Sequence, residues 1–170
     1  MKKTVYLLLL SILLISCYSI TKVTSKKHNF TKNIDFSINK VEERVTISDS
    51  PRSKGVYQSN AEDKFVLINL NIINTSNQQQ EFNFNNFHLF NPATNIQYRA
   101  DWMLSSSLLE KNSGINYFIQ KKSNLNRTLV FMFPKNEEAS FLKIDNQIIE
   151  INTEIQKSYE KIDIPAPINF

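Results

Sequence analysis

Residues 64–73, Lys-Phe-Val-Leu-Ile-Asn-Leu-Asn-Ile-Ile, alternate in character with a period of two. Val66, Ile68, Leu70 and Ile72 fall on one side, and Phe65, Leu67, Asn69 and Asn71 on the other. Side chains of an extended strand point alternately to opposite faces, so this run reads as a central strand with one face in a core. Residues 127–133 repeat the pattern, with Leu129, Phe131 and Phe133 opposed to Thr128, Val130 and Met132. Pro134 ends that run, because proline has no N–H to give to a ladder.

Weaker alternation surrounds these two runs. Ile34, Phe36 and Ile38 alternate, and Val45 and Ile47 resume after a bulge expected across residues 41–44. Residues 48–60, with Pro51 and Gly55, read as an exposed loop, and Asn74-Thr75-Ser76-Asn77 as a turn. Phe82 and Phe84 alternate, then Phe87 and Leu89 on a shifted register, and residues 91–95 turn into a strand over 96–100. Residues 101–113 fit a short helical turn or a crossing loop. A strand is expected near 116–120, and a closing hairpin over 141–144 and 147–151 about Asp145-Asn146. The chain has only two glycines, Gly55 and Gly114, so asparagine is expected at the turns that need positive φ. Seven or eight short strands at intervals of roughly 8–12 residues predict an all-β fold, an antiparallel β-sandwich. No amphipathic helix separates the strands, which excludes a parallel α/β sheet.

Met1-Lys2-Lys3 followed by the apolar residues 5–15 has the layout of a secretory signal. The apolar run is about half of the ~20 residues that a spanning helix needs. It closes on Leu14-Ile15-Ser16-Cys17, and Cys17 is the only cysteine. These four residues resemble the lipobox of bacterial lipoproteins. The resemblance implies cleavage between Ser16 and Cys17, a diacylglycerol on the Cys17 thiol, and a fatty acyl group such as palmitate on the new amino terminus. The alternative is an ordinary secretory signal with a cysteine near the cut. That would leave a lone thiol in an oxidising compartment, where paired cysteines are the rule. The expected organisation is a signal over residues 1–16, lipidated Cys17 and a flexible tether over 17–32, a sandwich over 33–153 and a loose tail over 154–170. Fifteen tether residues would hold the domain roughly 20–25 Å from the lipid. The expected location is the cell membrane or outer membrane, facing periplasm or exterior, with membrane lipid as one partner.

Two stretches are similar to a family of bacterial exported proteins and lipoproteins of unknown function. One is residues 65–76, an apolar strand closing on Asn74-Thr75-Ser76 and continuing through 87–91 to 96–98; the other is residues 129–135, followed by Phe141-Leu142. The match spans about residues 34–151. The resemblance implies an immunoglobulin-like sandwich of the telokin-like, mycobacterial immunoprotective extracellular antigen superfamily. It carries over no catalytic residue.

Cleavage after Ser16 would remove Lys2 and Lys3 and no acid, taking the net charge from +4 to +2. Scattered charges of so small a sum exclude a nucleic-acid footprint. The two histidines, His28 in the expected tether and His88 in a strand, have no nucleophile elbow near them. His88, Met103 and Met132 lack metal-ligand spacing, and Asp49, Asp63 and Asp101 are too isolated for calcium. Glu42 and Glu43 are neighbours on a strand and face opposite ways, so they cannot converge on one bond as a glycosidase pair must. The sequons at Asn29, Asn74 and Asn126 are accounted for by the abundance of asparagine. No cofactor is expected and the chain is not read as an enzyme.

Trp102 and Tyr98 are the candidate binding residues, as an aromatic platform for a sugar or peptide. The competing role for Trp102 is to plug one end of the sandwich. The expected function is a non-enzymatic binding module contacting another envelope protein or a surface ligand through loops 48–63 and 101–115. The alternatives are a structural or assembly accessory of the envelope, or a solute-binding component.

Overall fold

The computed structural model describes residues 19–21, 26–48, 56–105, 109–111, 116–151 and 155–156. In chain order its strands are β1 (Ser19–Thr21), β2 (Lys27–Thr31), β3 (Ile34–Arg44), β4 (Thr46–Ser48), β5 (Val56–Gln58), β6 (Asp63–Asn74), β7 (Gln80–Asn83) and β8 (Phe87–Asn91). They continue as β9 (Ile96–Arg99), β10 (Trp102–Leu104), β11 (Leu109–Lys111), β12 (Asn116–Ile119), β13 (Asn124–Pro134), β14 (Phe141–Ile144), β15 (Gln147–Glu150) and β16 (Ile155–Gln156). Every pairing among them is antiparallel.

β3, β6 and β13 form the spine of an eight-stranded sheet ordered β11-β10-β13-β6-β3-β1-β16, with β2 also on β3. A four-stranded sheet ordered β15-β14-β8-β9 and the pair β12-β7 make the second layer. The faces are those read from the alternation. Val66, Ile68, Leu70, Ile72, Leu129 and Phe131 are all fully buried on the inner face of the large sheet. Phe82, Phe84, Phe87, Leu89, Leu142 and Ile144 meet them from the second layer. The rings interlock: Phe36 meets Phe87 edge-on at 5.6 Å, and Phe82 meets Phe84 at 4.8 Å. Edge-to-face pairs of this kind add to the area they bury.

The all-β sandwich is therefore the architecture observed, and several local features differ from expectation. The bulge in β3 falls at Asn39, where the register shifts between Ile38 and Lys40, and not across residues 41–44. One extra residue reverses the parity of the strand. Ile34, Phe36 and Ile38 face the core before it and Val41 after it, leaving Lys40, Glu42 and Arg44 on the outer face. Residues 101–113 hold neither a helical turn nor a plain loop where described, since β10 pairs with β13 and β11 with β10. Phe84–Asn86 is a 3-10 turn whose start is capped by the Asn83 side chain, accepting from the Asn85 N–H at 2.8 Å. That turn produces the register shift seen between Phe84 and Phe87. Asn95 takes the positive φ expected of asparagine at a turn, but Lys122 and Asp145 take it elsewhere.

The expected boundaries move outward. Lys27–Thr31 is not tether: β2 pairs with β3, with His28 stacked at 5.1 Å on Phe36 and Phe30 packed on the core. Two aromatic rings in an otherwise polar stretch supply the buried area that anchors it. At the other end, Ile155–Gln156 pairs with Ser19–Thr21, so a strand lies beyond residue 153. Cys17, Ser16, the rest of the expected signal segment and residues 157–170 lie outside the described residues.

Candidate functional site

The outer face of the large sheet is where exposed chemistry collects. Its upper half is apolar. Ile47, Phe65, Leu67 and Val130 are buried there, with Trp102, Leu104, Leu109 and Met132 packed against them. Ile47 reaches this cluster because the chain bends at Val45, leaves β3, and lays the β4–β5 arm back over the sheet. Ser59 ties the arm down, its N–H donating to the Val45 carbonyl at 2.9 Å. The β4–β5 arm carries the start of loop 48–63, and β10 and β11 belong to loop 101–115, so described parts of both candidate loops meet on this face.

Below the apolar half lies an open depression of about 530 Å3, lined among others by Asn39, Lys40, Glu42, Arg44, Asn69 and Leu104. A hydrogen-bonded ladder crosses its floor from strand to strand. The Ser37 hydroxyl donates to Asn39 Oδ1 at 3.2 Å, Asn39 Nδ2 to Asn69 Oδ1 at 3.1 Å, and Asn69 Nδ2 to Thr128 Oγ1 at 2.9 Å. Glu42 is buried and is paired with both Lys40 and Arg44, the latter at 2.5 Å. The bulge at Asn39 makes this grouping possible by turning Lys40, Glu42 and Arg44 outward together. One row further along, Asn71 presents a buried Oδ1 with no hydrogen-bond partner among the described residues.

The two aromatic candidates do not share a platform. Trp102 is half-buried in the outer cluster, edge-on to Phe65 at 6.0 Å. Tyr98 sits on β9 of the other layer, edge-on to Phe133 at 4.7 Å, with its hydroxyl donating to the Glu137 carboxylate at 3.3 Å. Burial first, then the Glu137 charge and hydrogen bond and the Asp63 charge, hold the Tyr98 phenol above its ordinary value of 10.0. Between the two rings the chain crosses layers through buried Ala100, and the Asp101 N–H donates to the Val130 carbonyl at 2.9 Å.

The glutamate pair divides as strand geometry requires, with Glu42 opposite Leu67 and Glu43 opposite Val66. Glu43 accepts from Lys64 Nζ at 2.8 Å, and Lys64 also donates to the Glu137 carbonyl at 2.8 Å. His88 is half-buried on the face of β8 opposite Phe87 and Leu89. No three His, Cys, Asp or Glu side chains gather as metal ligands among the described residues.

Asn39, Lys40, Asn69 and Thr128 were absent from the candidates drawn from the sequence. Their signal was the outer-face alternation of residues 65–71, in which two asparagines follow two large apolar residues. A half-buried face that turns from apolar to amide is a face left open to solvent.

Residues 27–155 match the family described as Domain of unknown function (DUF4352). No curated protein matches the sequence. The chain is similar to two solved structures. A conserved hypothetical protein from Bacillus anthracis, 12% identical, covers 78% of this chain and 97% of its own with a TM-score of 0.57. An uncharacterized beta-sandwich protein from Clostridium difficile 630, also 12% identical, covers 75% of this chain and 89% of its own with a TM-score of 0.48.

Proposed function

The chain belongs to the DUF4352 family, and we propose that it is an exported, lipid-anchored and non-enzymatic binding domain of the bacterial envelope. Its sandwich is of the immunoglobulin-like, telokin-related kind that its two signature stretches resemble. Its contact surface is the outer face of the large sheet, and its partner is another envelope protein. The observation that carries this reading is the adjacency of the Trp102–Leu104 apolar edge and the Asn39–Asn69–Thr128 amide ladder on one open face. An apolar edge supplies binding energy by losing water, while amides and hydroxyls supply orientation. The charges there are already paired within the chain. That arrangement suits recognition of a partner surface.

Affinity purification from native membranes tests it. A Leu104→Lys, Asn69→Lys double variant should stay folded and lose the partner recovered by the wild type. A matched variant on the opposite layer, Gln97→Lys, should keep it. Loss from both variants, or from neither, overturns the assignment of the face. Mass spectrometry of the membrane-extracted protein should find a lipid-modified Cys17 at the amino terminus, and an unmodified start elsewhere overturns the anchor.

A further inference from the structure

We propose that the lipid anchor does not hang the domain on a long tether but seats one end of the sandwich directly on the bilayer. The inference rests on the lipid-anchor reading and concerns which surface meets the membrane. Strand β1 begins at Ser19, two residues after Cys17, and pairs with β3 as Ser19↔Glu43, Ile20↔Glu42 and Thr21↔Val41. It is also paired on its other edge, Ile20↔Gln156 and Thr21↔Ile155. A strand held on both sides is part of the sheet. Two residues of covalent chain reach at most about 7 Å, so the attachment point of a lipid on Cys17 stays near Ser19 and its partner Glu43.

The register says which end that is. Glu43 lies at the end of the sandwich where β6 starts and β13 finishes, since Arg44 pairs with Phe65 and Phe133 with Lys64. Two turns close the same end. The Lys135 N–H donates to the Glu62 carbonyl at 2.8 Å, and Asn91 Nδ2 donates to the Glu137 carboxylate at 2.5 Å, bringing in the turn between β8 and β9. That turn leads to Ile96, a large apolar side chain left 46% exposed. An exposed aliphatic group on the anchored end has a place to go at the headgroup–acyl boundary. The exposed charges there, Lys135, Glu62 and Glu138, are of both signs, so the anchor and the apolar tip set the contact, not attraction to anionic lipid. The opposite end carries the turns after β6, between β12 and β13, and between β14 and β15. β6 alone is 12 residues long, which separates the two ends by about 36 Å.

The test uses the full-length lipidated protein in vesicles of phosphatidylethanolamine and phosphatidylglycerol carrying a headgroup acceptor dye. With Cys17 consumed by lipid, an introduced cysteine is the single free thiol. Fluorophore on Asn136→Cys, at the anchored end, should transfer energy to the headgroups at least several-fold more efficiently than fluorophore on Asn77→Cys, at the far end. Ile20→Pro removes a ladder N–H from β1 and should bring the two efficiencies together while lipidation is retained. Equal transfer in the unmodified β1 background, or unequal transfer that survives Ile20→Pro, overturns the seating. A free thiol at Cys17, detected in the same samples, overturns the anchor itself.

Discussion

Asn74 and Ser76 are joined twice: Asn74 Oδ1 accepts from both the backbone N–H and the hydroxyl of Ser76, each at 2.9 Å. The amide of the same asparagine donates to the carbonyls of Gln78, Ile119 and Gln120 at 2.7, 3.0 and 3.0 Å. The Asn-Thr-Ser run that looks like a turn signal in sequence is thus a buried knot tying the turn after β6 to the turn before β13. Its asparagine is 1% exposed, which also removes it as a glycan acceptor in the folded chain.

Replacing Asn74 with alanine strips partners from three carbonyls at once. Each buried polar group left unpaired costs about 1–3 kcal/mol, partly recovered by water. Asn74→Ala is expected to lower stability by about 3 kcal/mol in a urea titration, while Ser76→Ala costs about 1 kcal/mol. Equal effects would show that the knot is not centred on Asn74.

Glu42 is buried while its partners Lys40 and Arg44 are each about 40% exposed along their side chains. Glu42→Gln leaves two cations side by side on the outer face. The partners' exposure screens the repulsion, so the expected loss is about 1–2 kcal/mol. A double-mutant cycle with Lys40→Ala should recover part of it.

His28 stacks on Phe36, and burial with the nearby Lys26 charge depresses its pKa below the ordinary value of 6.5. The unfolded chain then binds its proton more readily than the folded one. His28 costs the fold nothing above pH 6.5, and stability falls as the pH drops below 6.5 through the lower, folded value. The midpoint of thermal unfolding should therefore decline between pH 7.5 and 5, and His28→Gln should shallow that decline. An unchanged slope counts against the folded position of β2.

Tyr98 behaves in the opposite sense at the other end of the scale. Its phenol is held protonated by burial and by Glu137. The stability this gives is complete below pH 10 and is lost as pH rises through the raised, folded value. Ultraviolet titration should show one tyrosine ionising late, and Tyr98→Phe should abolish that late step. Glu137→Gln should move it partway back toward the ordinary value.

Trp102 is placed to stabilise and to bind, and the two roles separate by substitution. Trp102→Ala opens a cavity beside Phe65 and should cost about 2 kcal/mol, less than a fully buried tryptophan would. Trp102→Phe keeps the edge contact and should restore most of that stability. Partner recovery that follows stability across both variants marks Trp102 as a packing residue, whereas loss of partner in the stable Trp102→Phe variant marks it as a contact.

The two long strands were legible because alternation is a local property. Phe65 to Ile73 and Leu129 to Phe133 carry the facing of each side chain in their own order, and a slip of one residue would move Val66 and Ile68 from the inner face to the outer one. A bulge in β3 was legible too, from Ile34, Phe36 and Ile38 followed by Val45 and Ile47, but its site was not. Only pairing with Leu70 and Asn69 fixes the extra residue at Asn39.

The candidate site was less legible. Asn69 and Asn71 stood out as amides on a strand face, yet nothing near them in sequence names Asn39 or Thr128 as their neighbours. Tyr98 and Trp102 are four residues apart and look like partners, but the chain changes layer between them.

From its order of residues alone, this chain was committed to strands, to a core face on each long strand, and to asparagine-rich turns, because those depend on neighbours one and two positions away. The tertiary structure decided which strands lie side by side. It drew His28 and Phe30 out of an expected tether, joined the two ends of the domain through β1 and β16, and gathered Asn39, Glu42, Asn69 and Thr128 on one face. Most of those contacts join residues tens of positions apart, and their free energy comes from burying surface that neither segment can bury by itself.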